Sequence, residues 1–249
     1  DNELTGGKVA GGIYGYRTSP SILHCNIYNN EVIPPFNGVS FGGGMTFYGN
    51  FGPFHEITYS PLIENCKIYD NSANLGGGIY LYSGMTPIIN NCLIKGNTAT
   101  GGWAGGGLFS SWSAPIIYRC IFTQNSAPGV FGGGMWLGWG GSPIIINCTI
   151  AHNNDGAIGT YGNVAPIIIN SIFQHNLWDG VNVPVLIDIG EVYDPLITMV
   201  NNNYPFMQPP DYLLPYINLV SEFHDDPLIN PESYFQDYTL NQNSPCVDA

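Results

Sequence analysis

Residues 142–153 read SPIIINCTIAHN. A proline opens the run, β-branched residues fill it, Asn147 interrupts it before Cys148, and Asn153 closes it. Short β-branched runs bounded by Pro and Asn read as strands. This run decides the fold because five other segments repeat its grammar. The prolines are Pro20, Pro61, Pro87, Pro115, Pro143 and Pro166. Two residues after each stands Ile: Ile22, Ile63, Ile89, Ile117, Ile145 and Ile168. Five residues after each stands Cys25, Cys66, Cys92, Cys120, Cys148 and, in the last copy, Ser171. An apolar residue follows two further on, and five beyond the Cys position comes Asn30, Asn71, Asn97, Asn125, Asn153 or Asn176. Glycine clusters precede the copies, from Gly11-Gly12 through Gly42–Gly44 to a degenerate Gly156.

The copies recur every 23 to 41 residues by the Cys and Ser171 marks. Most are shorter than a propeller blade of about 40 to 45 residues. They suit one turn of a parallel β-solenoid made of three short strands, each turn stacked on the last at about 4.8 Å. The Ile after Pro, the Cys and the apolar residue beyond it then point inward. Ile and Cys are three apart, so the alternation breaks between them and a bend is needed. Asn65, Asn91, Asn147 and Asn170 occupy it, and Asn tolerates left-handed backbone; Arg119 stands there in one copy. The Asn five past Cys marks the next corner, where stacked amides can bond one another along the axis. The stacked cysteines read foremost as buried free thiols, because parallel side chains do not aim their sulfurs together; one or two disulfides or a metal are the alternatives. Cys246 is expected to be buried as well.

Composition narrows the function. The chain has 249 residues, with 18 acids against 5 Lys+Arg, a formal charge of −13. Nucleic-acid binding, which needs clustered basic residues, is excluded. No apolar run approaches the roughly 20 residues that span a bilayer, so no membrane insertion is expected. With no leader at Asp1, a mature chain or a fragment is expected. The first half holds all five basic residues, and Asp179 to Ala249 holds eleven acids and no Lys or Arg. Regular coils are therefore expected over 1–178, with acidic, irregular C-terminal coils and a cap of the same domain over 179–249.

Three faces follow from the alternation. After the glycines, Tyr14, Tyr80, Phe109 and Trp136 point outward, as do Tyr16, Tyr48, Tyr82 and Tyr161, with Trp112 and Trp139 at the strand end. An exposed aromatic stripe normally marks a contact surface. Ring faces are negative and attract polarised C–H groups of a sugar, so these ten residues are candidate carbohydrate-binding residues. Burial against a protein, or mutual stacking alone, are the other readings. After the prolines, Leu62, Ile88, Ile116, Ile144, Ile146, Ile167 and Ile169 form an outward aliphatic column. It is covered either by the chain's own segment Val181 to Val200 folded back or by another copy in an oligomer or filament. The face after Cys, with Asn26, Lys67, Thr149, Tyr28, Tyr69, Lys95, Thr123 and Gln174, reads as a solvated wall.

No catalytic cluster emerges. A polysaccharide lyase needs a cationic group and often carboxylate-held Ca²⁺, and the basic residues are scattered. A glycoside hydrolase needs facing carboxylates, and Glu64 and Asp70 lie on different faces. The clusters around Asp188, Glu191 and Asp194 and at Asp225-Asp226 lack EF-hand spacing, so no cofactor is expected beyond a possible Ca²⁺ site. His55 and Glu56, in the insertion from Gly49 to Tyr59, read as loop residues. The sequon at Asn147 lies beside a buried Cys, a poor place for a glycan.

"GGGIY", "GGGLF", "GGGMW", "APIIYRCIFTQN" (114–125) and "SIFQHN" (171–176) resemble right-handed parallel β-helix repeats, including those of polymorphic outer-membrane autotransporter passengers. The ending "DDPLINPESYFQDYTLNQNSPCVDA" (225–249) resembles that of secreted bacterial β-helix proteins, whose surface anchor often follows; none is expected here. The resemblance implies an all-β, right-handed parallel β-helix of about six regular coils. It implies an extracellular or cell-surface location. The expected role is non-catalytic, adhesin-like or structural, with a polysaccharide or glycan, or further copies of the chain, as partners. The rival expectation is a carbohydrate-active enzyme, a lyase or hydrolase, working on the aromatic face.

Overall fold

The computed structural model describes residues 2–5, 10–33, 38–49, 58–130, 132–178, 181, 182, 197–200, 202 and 217–220. Every regular element among them is a strand, and nearly all strand pairs are parallel. The chain winds as a right-handed parallel β-helix whose coils contribute one strand to each of three long sheets. The glycine sheet stacks Ile13–Tyr16, Met45–Tyr48, Ile79–Tyr82, Leu108–Ser111, Met135–Gly138 and Ile158–Tyr161. The proline sheet runs from Ser21–Leu23 to Ile167–Ile169 and continues through Ile197–Val200 and Ile217–Val220. The cysteine sheet runs from Asn26–Tyr28 to Ile172–Gln174. A short fourth sheet, Asn2–Thr5, Asn30–Ile33, Ser72–Ala73 and Thr98–Ala99, lies beyond the Asn corner.

Register is held residue by residue: Ile89 pairs with Ile63 and Ile117, and Ile94 with Ile68 and Phe122. The inward positions read from the repeat form one continuous core, including Met45, Ile63, Ile94, Leu108, Phe122 and Ile145. The bend before each Cys is left-handed, with φ between 50° and 54° at His24, Asn65, Asn91, Arg119 and Asn147, and 47° at Asn170. Arg119 therefore fills a backbone role.

The cysteines of this column that are described, Cys25 to Cys148, are free. Their sulfurs do structural work. The amides of Cys25, Cys66 and Cys92 each donate to the sulfur of the next coil at 3.4 Å. The thiols of Cys66, Cys92, Cys120 and Cys148 donate to carbonyls of Glu64, Asn90, Tyr118 and Ile146 at 3.2–3.3 Å. The bend strips an amide of its strand partner, and a small side chain with an acceptor replaces it. In later coils Ser171 Oγ takes the Cys148 amide at 3.2 Å, and Asn202 Oδ1 takes the Ser171 amide at 2.8 Å. Burial pushes the Cys66 thiol up to about 11 and Cys120 well above its ordinary value. Cys246 lies outside the described residues.

The Asn corner is a ladder. Asn125 Oδ1 accepts from the backbone and side-chain amides of Asn97, both at 3.0 Å. Its Nδ2 donates to Ile94 O and Asn153 Oδ1, also at 3.0 Å. The four bonds saturate a side chain that is fully buried.

One expectation about coverage is corrected, and another is corrected only for the part of Val181 to Val200 that is described. Ile197–Val200 does not fold back over the aliphatic column; it pairs with Ile167–Ile169 as the next strand of the same sheet. Its run keeps the inward–outward alternation, with Ile197 and Met199 buried in the core as the earlier coils bury theirs. Leu62, Ile88, Ile144, Ile146, Ile167 and Ile169 are half-buried and Ile116 is exposed. The wall after Cys is not solvated throughout, since Thr123 and Gln174 are buried while Asn26, Lys67 and Tyr28 are exposed. His55, Glu56, the stretch 183–196, and the acidic pair Asp225-Asp226 fall outside the described residues.

Candidate functional site: an aromatic edge and cleft

The glycine sheet carries two outward columns. One runs Tyr14, Thr46, Tyr80, Phe109, Trp136, Gly159. Its middle rings stack nearly parallel, Tyr80 on Phe109 at 4.9 Å and Phe109 on Trp136 at 4.6 Å. Phe41 closes one end, 4.7 Å from Tyr80, and Trp103 the other, 5.9 Å from Trp136. Tyr80, Phe109 and Trp136 therefore point away from the core as expected, but keep only 2%, 1% and 3% of their surface. They support a contact surface and cannot present faces to a ligand spread along the sheet. Burial pushes the Tyr80 phenol far above its ordinary value, and Tyr48 and Tyr82 upward too. All three remain neutral at physiological pH.

The second column lies at the corner, and every coil supplies it with one ring. Tyr16, Tyr48 and Tyr82 do so from the last strand position of the first three coils. In the next two that position holds Ser111 and Gly138, and the ring comes one residue later, from Trp112 and Trp139. Both tryptophans are left-handed, at φ 45° and 52°. The same corner position is left-handed at Arg17 (51°), Ser83 (57°) and Gly162 (70°) as well, so the conformation belongs to the corner and not to the tryptophans. Tyr161 returns the ring to the strand. Neighbouring rings meet at 5.3 Å (Tyr48–Tyr82), 5.6 Å (Tyr82–Trp112), 5.9 Å (Trp112–Trp139) and 5.6 Å (Trp139–Tyr161). Tyr16 is 53% and Trp112 50% exposed, with Tyr14 comparable; Tyr48, Tyr82, Trp139 and Tyr161 are half-buried. The Arg17 guanidinium lies 4.9 Å from the Tyr16 ring.

Gly138 makes room for the neighbouring indole. A Cβ there would stand 2.3 Å from Trp136 Cη2, so the Trp136 indole folds over the glycine and backs the corner.

One ring of the site was not read from the sequence. Trp103 packs against Tyr161 at 4.5 Å and Trp139 at 5.3 Å and is 43% exposed. It sits in a loop whose signal is coil length: Asn71 to Gly76 spans five positions, Asn97 to Gly105 eight and Asn125 to Gly132 seven. The two longer connections are seated by a small cluster of Ala99, Ala104 and Ala127, with Val130 against it. Between them opens a cleft of about 220 Å³ lined by Gly102, Trp103, Gly129, Val130, Trp136, Thr160 and Tyr161. The nearby carboxylate of Asp155 is engaged by Ser126 Oγ at 3.1 Å and the Ala127 amide at 3.0 Å. Among the described residues, no group of three or more His, Cys, Asp or Glu gathers that could hold a metal ion.

A fold of stacked parallel coils with an Asn ladder, Cys-column bends and glycine corners defines a β-helix protein. The profile of the right-handed β-helix region matches residues 1–108 and 55–185, and the chain belongs to that family. Comparison with curated proteins and with solved structures gave no match.

Proposed function

We propose that the protein is a non-catalytic, extracellular or cell-surface β-helix protein that holds a polysaccharide along its aromatic corner. The observation that carries this reading is the column of neighbouring rings from Tyr48 to Tyr161, continued by Trp112 and Trp139 through the two coils whose last strand position holds Ser111 and Gly138. Rings 5.3–5.9 Å apart offer successive C–H-binding contacts along an extended chain. The charge of −13 disfavours uronate polymers and favours neutral glycans. The cleft beside the column is lined by rings, glycines, one valine and one threonine, a lining suited to holding rather than to acid–base chemistry. The test is a glycan array with the wild type and Trp112→Ala. Neutral glycans are expected to bind the wild type and to lose at least about tenfold in the variant, in line with hot-spot aromatics. A wild type that retains no glycan overturns the reading, and release of unsaturated products from uronate polymers replaces it with lyase chemistry.

A second reading rests on the aliphatic column, where Ile116 is 37% exposed in a row of half-buried Leu62, Ile88, Ile144 and Ile167. Such a row suits a second copy of the chain, and self-assembly through it is compatible with glycan binding on the other sheet.

A further inference from the structure

The corner after each cysteine strand carries a column of its own. Four residues past the Cys position stand Asn29, Asp70, Gly96, Gln124, His152 and His175. All six are left-handed, with φ from 49° to 63°, so the backbone holds them in one row. Asn, Asp, Gly and Gln serve the bend as well as His does, so the turn itself does not call for imidazole. Two consecutive coils nevertheless place one there. The strands leading into the pair are in register, Ala151 opposite Gln174, and the His152 amide donates to Gln174 O at 3.0 Å. His175 is exposed and His152 half-buried.

The two ring centres lie 5.0 Å apart, with planes inclined by 31°. A first-row divalent ion binds an imidazole nitrogen at about 2.0–2.1 Å, and the nitrogen lies about 1.1 Å from its ring centre. Two rings sharing a tetrahedral ion therefore have centres about 5.2 Å apart, and neighbouring rings on a square-planar ion about 4.5 Å. The observed spacing falls between the two. Turning the exposed His175 ring about χ2, a torsion with a broad minimum, aims its nitrogen without moving the backbone.

Protonation and charge agree with that geometry. Burial, and then the neighbouring His175, holds His152 below its ordinary pKa, so its imidazole is neutral at pH 7 and its lone pair is available. The strands Thr149–Ala151 and Ile172–Gln174 hold no Lys or Arg, and the chain carries −13, which draws cations. Imidazole suits Cu²⁺, Ni²⁺ and Zn²⁺, whereas Mg²⁺ and Ca²⁺ prefer oxygen. We infer that His152 and His175 form a two-histidine site for a first-row divalent transition-metal ion, with water filling the remaining positions. The bound ion ties the Cys148 coil to the Ser171 coil across their corner. The site lies at the end of the cysteine sheet and does not rest on the glycan reading.

The experiment titrates the full, metal-stripped chain with Cu²⁺ alone, followed by calorimetry and electron paramagnetic resonance. A saturable site with hyperfine coupling to two nitrogens is expected. His152→Asn and His175→Asn keep a residue that the same corner already accepts at Asn29, so both should fold. Each should weaken Cu²⁺ binding by at least the roughly tenfold that losing a supporting group costs a metal site, and His24→Asn should leave it unchanged. Zn²⁺ should raise the melting midpoint of the wild type more than that of either variant. No saturable Cu²⁺ site, a single coordinated nitrogen, full affinity in either variant, or an equal Zn²⁺ shift in the variants each overturns the proposal.

Discussion

The bend before each cysteine asks for one thing, a compact acceptor for the amide of the coil before. Sulfur supplies it at Cys66, Cys92 and Cys120, and oxygen at Ser171. Cys120→Ser is therefore expected to lose less than about 1 kcal/mol, while Cys120→Val, equally apolar, leaves the Cys92 amide unpaired and loses about 1–3 kcal/mol; denaturant midpoints compare them. Burial makes Cys66 and Cys120 hard to ionise, whereas the hydrogen bond with Cys120 holds Cys92 below its ordinary value. Cys66 rises from 9.0 to about 11, so the folded state favours the protonated form. Its stabilisation is whole below pH 9 and is lost as pH climbs towards 11, with Cys120 acting in the same sense. His152 is shifted downward by burial and then by His175, 5.0 Å away. Its contribution is present above 6.5 and fades as pH falls. A thermal-unfolding series should show a plateau between about pH 6.5 and 9 with a decline on both sides; a steady rise into alkali would contradict the buried-thiol account.

At the scale of the strand and its corner, two features set the outcome. Asn125 makes four bonds to neighbours above and below, so Asn125→Leu strands several buried polar groups at once. A loss of at least about 3 kcal/mol is expected, measured by chemical denaturation. Gly138→Ala presses a methyl into Trp136; the indole should leave its seat, seen as a red shift in emission, with weakened glycan binding. The repeat made the strand positions, the left-handed bend and the Asn corner legible, because each recurs at fixed spacing and needs only local chemistry. It did not disclose that Tyr80, Phe109 and Trp136 are walled in. Alternation gives the direction of a side chain and not what lies above it. The cover at one end is Trp103, which comes from a loop outside the repeating grammar. Thr123 and Gln174, polar yet buried, escaped notice for the same reason.

For the whole molecule, stability is a sum over coils and the contacts between neighbours. The aliphatic column belongs to that scale. If copies meet there, Ile116→Asp should shift light scattering towards the monomer without lowering the melting midpoint, since Ile116 is already exposed. An unchanged scattering profile, or a monomeric wild type, removes the assembly reading. The direction of the hydrogen bonds has a mechanical corollary. They run from coil to coil along the axis, in the sheets and the Asn ladder alike. Tension applied along the axis loads one coil's bonds at a time and peels the rod like a zip. Tension along the strands shears a whole row together. The same molecule should be compliant in one direction and stiff in the other.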